Sequence, residues 1–472
     1  MIANKNIGDN SYILDNRSQY QPFSDERGSS IDSHENAFDD MKQLITNEEN
    51  EKKSSLHYAS FNFINSIIGS GVIGIPYAFH EAGFGFGLVL LIFVAYVTDY
   101  SLILMIKAGH ISGRFSYQGI MEAAFGRAGY ILLGVLQFFY PFIAMVSYNV
   151  VVGDTVTKVI VRLTDIGPNN IFAKREIIVL IATIFITIPL CLYRDISKLA
   201  KISFFSLVCI GFILFSIMVR IGSVSAIVPE NEHSWRFFNS DIIPAIGIMA
   251  FAFMCHHNTF LIYGSIADAS EKKWETVTHA SILTSLVVAC LFGIAGYATF
   301  KAYSQGDLLE NYCWDDDLMN LSRLLFSIQI LLTYPIECFV TREVIENSII
   351  GKDPNVPMSQ KIHYGLTLAI VVTTYLISMA TDCLGVVLEL NGVLAAVPLA
   401  YVLPALCYLR LEEGVVFGRE KLPALGVAIF GLTVAALGVI FLFMDLDQVN
   451  QCSHGLVMEY CKTVNETSSE KP

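Results

Sequence analysis

The strongest chemical signal in the chain is a break within an apolar run. Residues 65–76 include three glycines, two serines and a proline in a stretch otherwise long enough to cross a bilayer. Unpaired peptide groups are costly in hydrocarbon, so such a break survives only where it lines a cavity or is buried in protein. Glycines let the backbone leave the helix and expose its N–H and C=O groups. The segment therefore predicts a binding site for a small polar solute.

A second polar interruption lies in a later apolar run, where His256, His257 and Asn258 occupy the middle of residues 250–264. Polar residues inside a membrane usually face the bundle interior or a water-filled path. Two interruptions five spans apart are expected from two five-helix halves of inverted topology, with the site between them. A pair of glycine-kinked helices packed by small residues is the alternative. Because the break occurs twice, the pattern favours a transport site over a pair of kinked, closely packed helices.

The elements that must position these residues are membrane spans. Of the 472 residues, 54% are hydrophobic and 15% are charged, which is unlike a soluble domain. Apolar stretches of about 20 residues, enough to span a ~30 Å hydrocarbon core, recur along the chain. Eleven are predicted, at residues 58–79, 83–107, 129–157, 177–193, 202–221, 242–265, 280–302, 320–340, 363–381, 384–409 and 423–444. They are too long for barrel strands, so the prediction is an all-α polytopic membrane protein.

Positive charge is concentrated in alternate loops. With a cytoplasmic N-terminus, the inner loops hold fourteen Lys and Arg residues and the outer loops hold seven. This bias favours that orientation, and an odd span count puts the C-terminus outside. Residues 1–53 are predicted to be a disordered cytoplasmic tail. Residues 54–445 are predicted to form the transmembrane domain, and residues 446–472 a short extracellular or lumenal tail in which Asn465 fits a glycan acceptor.

The ten cysteines predict no metal centre, because no spacing matches a zinc site. Four of them fall on the predicted outer side, where disulfides form: Cys313, Cys383, Cys452 and Cys461. Cys452 and Cys461 are close along the chain and are the disulfide candidate, although connectivity does not follow from sequence.

Three segments in order resemble the sodium-coupled neutral amino acid transporters, within the wider amino acid/auxin permease group. Residues 65–79 resemble the opening of that family, residues 251–263 its sixth span, and residues 332–335 with Arg342 its eighth. The resemblance covers about residues 52–445. It implies eleven helices in a LeuT-like fold, a 5+5 inverted repeat plus one extra helix, that moves neutral amino acids, often with sodium and sometimes against protons.

An amino acid zwitterion would find suitable groups at both interruptions. N–H groups of residues 69–71, at the positive dipole end of a helical half, suit the carboxylate. Carbonyls freed near residues 252–256 suit the ammonium group. The candidate substrate-binding residues are Gly69, Ser70, Gly71, Ala252, Phe253 and His256.

The resemblance also implies a sodium site. The family's sodium ligands stand at matching places as Asn65 and Thr333, and similarity to the broader fold adds the backbone carbonyls of Asn65 and Ile68. Sodium is a hard cation that takes oxygen ligands, including carbonyls at the end of a half-helix. Thr333 has an alternative role, since a threonine near Pro335 often satisfies backbone groups freed by that proline. No cofactor is expected besides sodium as coupling ion.

Four ionisable residues are proton-coupling candidates: His256, His257, Glu337 and Glu389. A buried carboxyl group can hold a proton at physiological pH, and histidine titrates close to it. Glu337 lies one turn after Thr333 on the same helix face, and Glu389 interrupts the tenth span. For each residue singly, a structural hydrogen bond or ion pair is the favoured alternative.

We expect a secondary active transporter of small neutral amino acids, dependent on sodium, with proton antiport as an addition. The alternatives are a proton-coupled amino acid transporter of an intracellular membrane and an amino acid sensor or receptor. No nucleophile–base pair, phosphate loop or metal cluster suggests an enzyme, and nucleic acid is not an expected partner. The sequence is compatible with the plasma membrane and with an endosomal or lysosomal membrane. It is also compatible with more than one amino acid substrate, ion stoichiometry and oligomeric state.

Overall fold

The computed structural model describes residues 55–164, 170–193, 203–232, 234–348, 359–381, 383–415, 417–444 and 458–461. The predicted tail 1–53, Cys452, Asn465 and most of the tail 446–472 lie outside the described residues.

The described residues form fifteen α-helices, numbered here in chain order. They are α1 (Leu56–Ile67), α2 (Ile75–Ala82), α3 (Phe84–Ser112), α4 (Tyr117–Thr164), α5 (Arg175–Ala182), α6 (Ile188–Cys191), α7 (Ser203–Ser225), α8 (Ile242–Ala252), α9 (Thr259–Ser265), α10 (Glu271–Phe300), α11 (Asp317–Ser348), α12 (Gln360–Ser378), α13 (Leu384–Asn391), α14 (Leu403–Leu411) and α15 (Leu422–Met444). Helix α4 turns at Gly126, where φ is +61°. Two π-helical turns, Gly392–Ala396 and Pro398–Val402, join α13 to α14.

Nine of the described helical stretches are long and apolar enough to cross a bilayer, and the bent pair α1–α2 makes ten. This confirms an all-helical polytopic membrane protein. The first predicted break lies within the bent pair. Helix α1 ends at Ile67, a 3-10 turn covers Ser70–Gly74, and α2 continues at an angle of 51° to α1. Pro76 lies in the first turn of α2, where a missing N–H removes no helical hydrogen bond.

The second predicted break is present as well. Helix α8 ends at Ala252, a 3-10 turn covers His256–Asn258, and α9 begins at Thr259. The residues between α8 and the 3-10 turn, 253–255, have no helical assignment. Peptide groups are thus without regular helical partners at both places that the sequence indicates.

The two breaks touch each other. A Cβ atom built on Gly71 would lie 2.7 Å from the Cα atom of Ala252, so only glycine permits this approach. Nearby, Asn258 Nδ2 donates a hydrogen bond to Ser66 Oγ at 2.7 Å. The contacts make the broken segments of α1–α2 and α8–α9 neighbours in space, as a site shared between them requires.

The predicted span 177–193 is helical but is not among the ten stretches above. It consists of α5, a π-helical turn at Thr183–Thr187 and α6, of 8, 5 and 4 residues. Its two ends contact opposite ends of α12. Arg175 Nη1 donates to Thr381 O at 3.4 Å beyond the last residue of α12, and His363 Nε2, in the first turn of α12, donates to Leu192 O at 3.2 Å. The stretch therefore runs alongside most of α12.

Residues 301–316 join α10 to α11 and are held by buried charges; we call them the outer loop because the predicted orientation puts them on the outer side. Lys158 Nζ lies 2.9 Å from the Glu310 carboxylate and donates to Glu310 O at 2.8 Å. Arg323 Nη2 donates to Leu309 O at 2.8 Å and to Tyr312 O at 2.6 Å. Both cations are almost fully buried, so they fix the path of the loop over the helix ends.

A disulfide corrects one prediction. Cys461 is bonded to Cys313 of the outer loop, not to Cys452, so the predicted Cys452–Cys461 pair is wrong. The loop folds so that the Cα atoms of Cys313 and Cys461 lie 5.6 Å apart, within bonding range, although 148 residues separate them. Tyr460 supports this arrangement by donating to Asn311 O at 2.7 Å. Cys383 is also disulfide-bonded.

Candidate functional site

A cavity of about 510 Å³ lies where the two breaks meet. Its wall combines the broken segments of α1–α2 and α8–α9 with side chains from α4, α7 and α11. The volume exceeds that of a small amino acid, and ligand sites of this size are common between the helices of bundles.

Four of the six predicted substrate-binding residues line this cavity: Gly69, Ser70, Gly71 and Ala252. The other two, Phe253 and His256, are not among its described lining residues, and both side chains are buried. The two ring nitrogens of His256 have no hydrogen-bond partner among the described residues. The structure thus brings together the glycine–serine segment and the end of α8.

The glycine–serine segment presents its backbone to the cavity. A Cβ atom built on Gly69 would meet no other atom within 4 Å, so the space beside this residue is open. No side chain caps the 3-10 turn that follows Gly69. The first N–H groups of a helical turn have no acceptor within the helix, so those of Ser70 and Gly71 are available to an anionic group of a ligand.

All three predicted sodium-binding residues, Asn65, Ile68 and Thr333, also line the cavity. Asn65 Oδ1 is buried and has no hydrogen-bond partner among the described residues. Thr333 Oγ1 donates to Gln329 O at 2.9 Å, which leaves its lone pairs for a cation. A proline leaves the carbonyl four residues before it without a helical donor, and for Pro335 that is the carbonyl of Leu331. Thr333 donates to a different carbonyl, so this hydrogen bond does not satisfy the group that Pro335 frees.

The proton-coupling candidates separate into two groups. Glu337 and His257 line the cavity, whereas His256 and Glu389 are not among its described lining residues. Glu337 and His257 also share a second pocket of about 10 Å³, room for a single water molecule. The Tyr148 hydroxyl group interacts with both the Glu337 carboxyl group and the Ser70 side chain.

Sequence reasoning missed the contributions of Tyr140, Tyr148 and Gln329 to the cavity wall. Gln329 Oε1 is unpartnered among the described residues although its residue is only 3% exposed. For Gln329 a sequence signal was available, because it is a polar residue within an apolar span and lies one helical turn before Thr333. Tyr140 and Tyr148 gave no such signal, because aromatic residues are also ordinary core residues of a helix bundle.

The cavity extends toward one side of the bundle. Tyr58, Phe205 and Ser265, at the start of α1, the start of α7 and the end of α9, belong to its wall. Tyr58 is 59% exposed, so this end is accessible. On the other side of the breaks, Leu308 and Leu309 of the outer loop are fully buried. A central site that is accessible from one side is typical of alternating access.

Comparison with known proteins agrees with this geometry. Residues 52–444 match the family described as "Transmembrane amino acid transporter protein". The chain is 45% identical over 419 residues to a Danio rerio protein named "Putative sodium-coupled neutral amino acid transporter 11", covering 89% of this chain and 92% of that protein. A Rattus norvegicus protein of the same name is 46% identical over 422 residues, with the same coverage.

A more distant relative carries a different name. "Vacuolar amino acid transporter 2" of Saccharomyces cerevisiae is 30% identical over 415 residues, covering 84% of this chain and 85% of that protein. The matched family and all three relatives are named as transporters, not as enzymes. The chain belongs to the transmembrane amino acid transporter family.

Proposed function

We propose that this amino acid transporter is a secondary active carrier of neutral amino acids, coupled to sodium and able to exchange protons. The observation that carries the proposal is the cavity at the contact of the two breaks, whose described wall is exposed at Tyr58 and covered beyond the breaks by buried Leu308 and Leu309. It supplies bare peptide groups, unpartnered oxygens and one carboxylate in a single space. The names of the Danio rerio and Rattus norvegicus relatives support both sodium and a neutral substrate.

The substrate carboxylate binds the N–H groups of residues 69–71 in this proposal. Carbonyl groups at the end of α8, near Ala252 and Phe253, face the ammonium group. Phe251 and Met254 offer an apolar surface to an uncharged side chain. His256 is fully buried and is not among the described residues that line the cavity, so it is not a substrate ligand in this proposal.

Sodium binds between α1 and α11 in this proposal. Its ligands are the Asn65 and Thr333 side-chain oxygens and the backbone carbonyls of Asn65 and Ile68. Unpartnered Asn65 Oδ1 supports the assignment, because a buried polar atom without a partner calls for a ligand, ion or water.

The architecture we propose is the eleven-span LeuT-like bundle, with the α5–α6 stretch as the fourth span. Its contacts with both ends of α12 support a full crossing. The paired breaks, one at the start of each five-helix half, support the inverted repeat.

The disulfide supports a cytoplasmic N-terminus. Disulfides persist in extracellular and lumenal compartments and are rare in the cytosol. With eleven crossings, seven precede Cys313, so an outer Cys313 leaves the N-terminus and the accessible end of the cavity on the cytoplasmic side.

A proton-coupled transporter of an intracellular membrane is the second candidate. Glu337 and His257, which both line the cavity, are its proton carriers. Glu389, outside that wall, is a weaker candidate. The name of the Saccharomyces cerevisiae relative favours this possibility.

Flux into proteoliposomes tests both candidates. Uptake of each common amino acid is measured with a sodium gradient alone, a proton gradient alone and neither. Saturable uptake of neutral amino acids that collapses when choline replaces sodium supports the first candidate. Uptake driven by protons and indifferent to sodium supports the second, and no saturable uptake under any gradient contradicts both.

A further inference from the structure

Glu337 is the one carboxylate among the described residues that line the cavity, and no Lys or Arg lines it. Among the described residues, none of the ion pairs involves Glu337. A carboxylate in a cavity wall of low dielectric constant is stable when a cation or strong donors are close to it. Among the described residues, the wall therefore presents one carboxyl group that has no Lys or Arg partner.

The carboxyl group also lies at the broken segment of α1–α2. The Tyr148 hydroxyl group interacts with both the Glu337 carboxyl group and the Ser70 side chain. Glu337 is consequently linked through Tyr148 to the side chain of Ser70, whose N–H group suits a substrate carboxylate. In an α-amino acid, the carboxylate and the ammonium group are attached to the same carbon atom. A substrate anchored at residues 69–71 would thus turn its ammonium group toward this region.

We propose that the Glu337 carboxylate, oriented by Tyr148, binds the α-ammonium group of the substrate. The inference rests on the proposed function and identifies the ammonium ligand within that same cavity. A charged acceptor holds an ammonium group more strongly than the carbonyl groups of the α8 break alone. Since the cavity wall offers no second carboxylate among the described residues, a basic side chain would find no partner of its own. Selectivity for neutral amino acids follows.

The test compares four variants with the wild type in proteoliposomes under an inward sodium gradient. The probe is a radiolabelled mixture of L-alanine, L-leucine and L-glutamine, and the competitors are unlabelled L-alanine and L-lactate. Lactate has the alanine skeleton with a hydroxyl group in place of the ammonium group. The variants are Glu337→Gln, Glu337→Asp, Tyr148→Phe and the control Glu343→Gln.

We expect Glu337→Gln to raise the KM at least about tenfold, the range for loss of a charged hydrogen bond. Its preference for alanine over lactate as competitor should fall by a similar factor, because an amide cannot neutralise the ammonium charge. Glu337→Asp should keep part of the preference. Tyr148→Phe, which removes the orienting hydroxyl group, should raise the KM less than Glu337→Gln does and lower the alanine-to-lactate preference less.

The control removes a carboxylate from the same helix at an exposed position outside the cavity wall, and should behave as wild type. An unchanged alanine-to-lactate preference in Glu337→Gln overturns the inference, even if the maximal rate falls. So does a KM of Glu337→Gln equal to that of the wild type. If the wild type transports none of the amino acids, the proposed function itself fails, which is a separate outcome.

Discussion

Single polar atoms at the cavity wall are the main support for the proposed function. Asn65 Oδ1, Gln329 Oε1 and His257 Nδ1 are buried without hydrogen-bond partners among the described residues. Buried polar atoms in proteins nearly always have a partner, so groups left unpaired together on one cavity wall indicate ligands, ions or water. Thr333 and Glu337 add a hydroxyl and a carboxylate oxygen to the same wall.

Thr333→Ala tests the sodium site. Loss of one oxygen ligand should raise the sodium concentration for half-maximal uptake at least about threefold, because one such interaction contributes about 1 kcal/mol. Thr333→Ser keeps the oxygen and serves as the matched control. The measurement is sodium-dependent uptake into proteoliposomes at fixed amino acid concentration. An activation curve identical to that of the wild type would remove Thr333 from the site.

Gly69 and Gly71 make a paired test of the broken segment. Gly69→Val should leave thermal stability close to wild type, because its side chain enters open space, yet it should abolish uptake by filling that space. Gly71→Ala should instead destabilise the protein, since the new Cβ atom would lie 2.7 Å from Ala252 Cα. Uptake and thermal unfolding in detergent are measured for both. Normal uptake by Gly69→Val would mean that the substrate binds elsewhere.

Asp307 of the outer loop makes stability depend on pH. Burial, together with the nearby Glu310 and Asp154 carboxylates, raises the pKa of Asp307 to about 8. In the unfolded chain the pKa is about 4. Between these values the folded protein keeps a proton that the unfolded chain releases, so stability falls as pH rises from about 4 to about 8.

Asp307→Asn should therefore reduce the loss of thermal stability between pH 5 and pH 8. The amide oxygen can still accept the hydrogen bond from Leu309 N, which is 2.9 Å long in the wild type. Unfolding midpoints at the two pH values, for variant and wild type, are the measurement. Equal pH slopes in the two proteins would contradict the assignment.

At the level of helices, the sequence predicts the discontinuous elements well because their causes are local. Glycine, proline and polar residues within apolar runs identify both breaks at the places where α1 and α8 end. The cavity wall is harder to predict. The face that Tyr148 presents depends on how α4 packs against α11. The Cys313–Cys461 bond depends on how a loop folds over the bundle, which local sequence does not encode.

The buried pair that holds the outer loop to α4 gives an element-scale prediction. Lys158→Met leaves the Glu310 carboxylate buried without its cation, which should cost about 3 kcal/mol or more of stability. The double variant Lys158→Met, Glu310→Gln removes both charges and should regain much of that loss. Thermal unfolding in detergent measures both. A single variant as stable as wild type would show that the pair does not hold the loop.

For the whole molecule, the decisive feature is that the described cavity wall reaches the exposed end of the bundle at Tyr58, whereas Leu308 and Leu309 on the other side of the breaks are buried. Ser265→Cys, on the cavity wall at the end of α9, should react with a membrane-impermeant maleimide only from the cytoplasmic side. Asp315→Cys, exposed on the outer loop, should react only from the opposite side. Labelling in right-side-out and inside-out vesicles measures both. Labelling of the two positions from the same side would overturn the proposed orientation.

The bond between Cys313 and Cys461 has a consequence for biosynthesis. Its two cysteines are made 148 residues apart, and four membrane segments separate them in the proposed topology. The ribosome must therefore synthesise residue 461, and with it all four of those segments, before oxidation can join the two cysteines. A nascent chain that stops short of residue 461 would keep a reduced thiol on Cys313, a chemical mark by which unfinished molecules differ from finished ones.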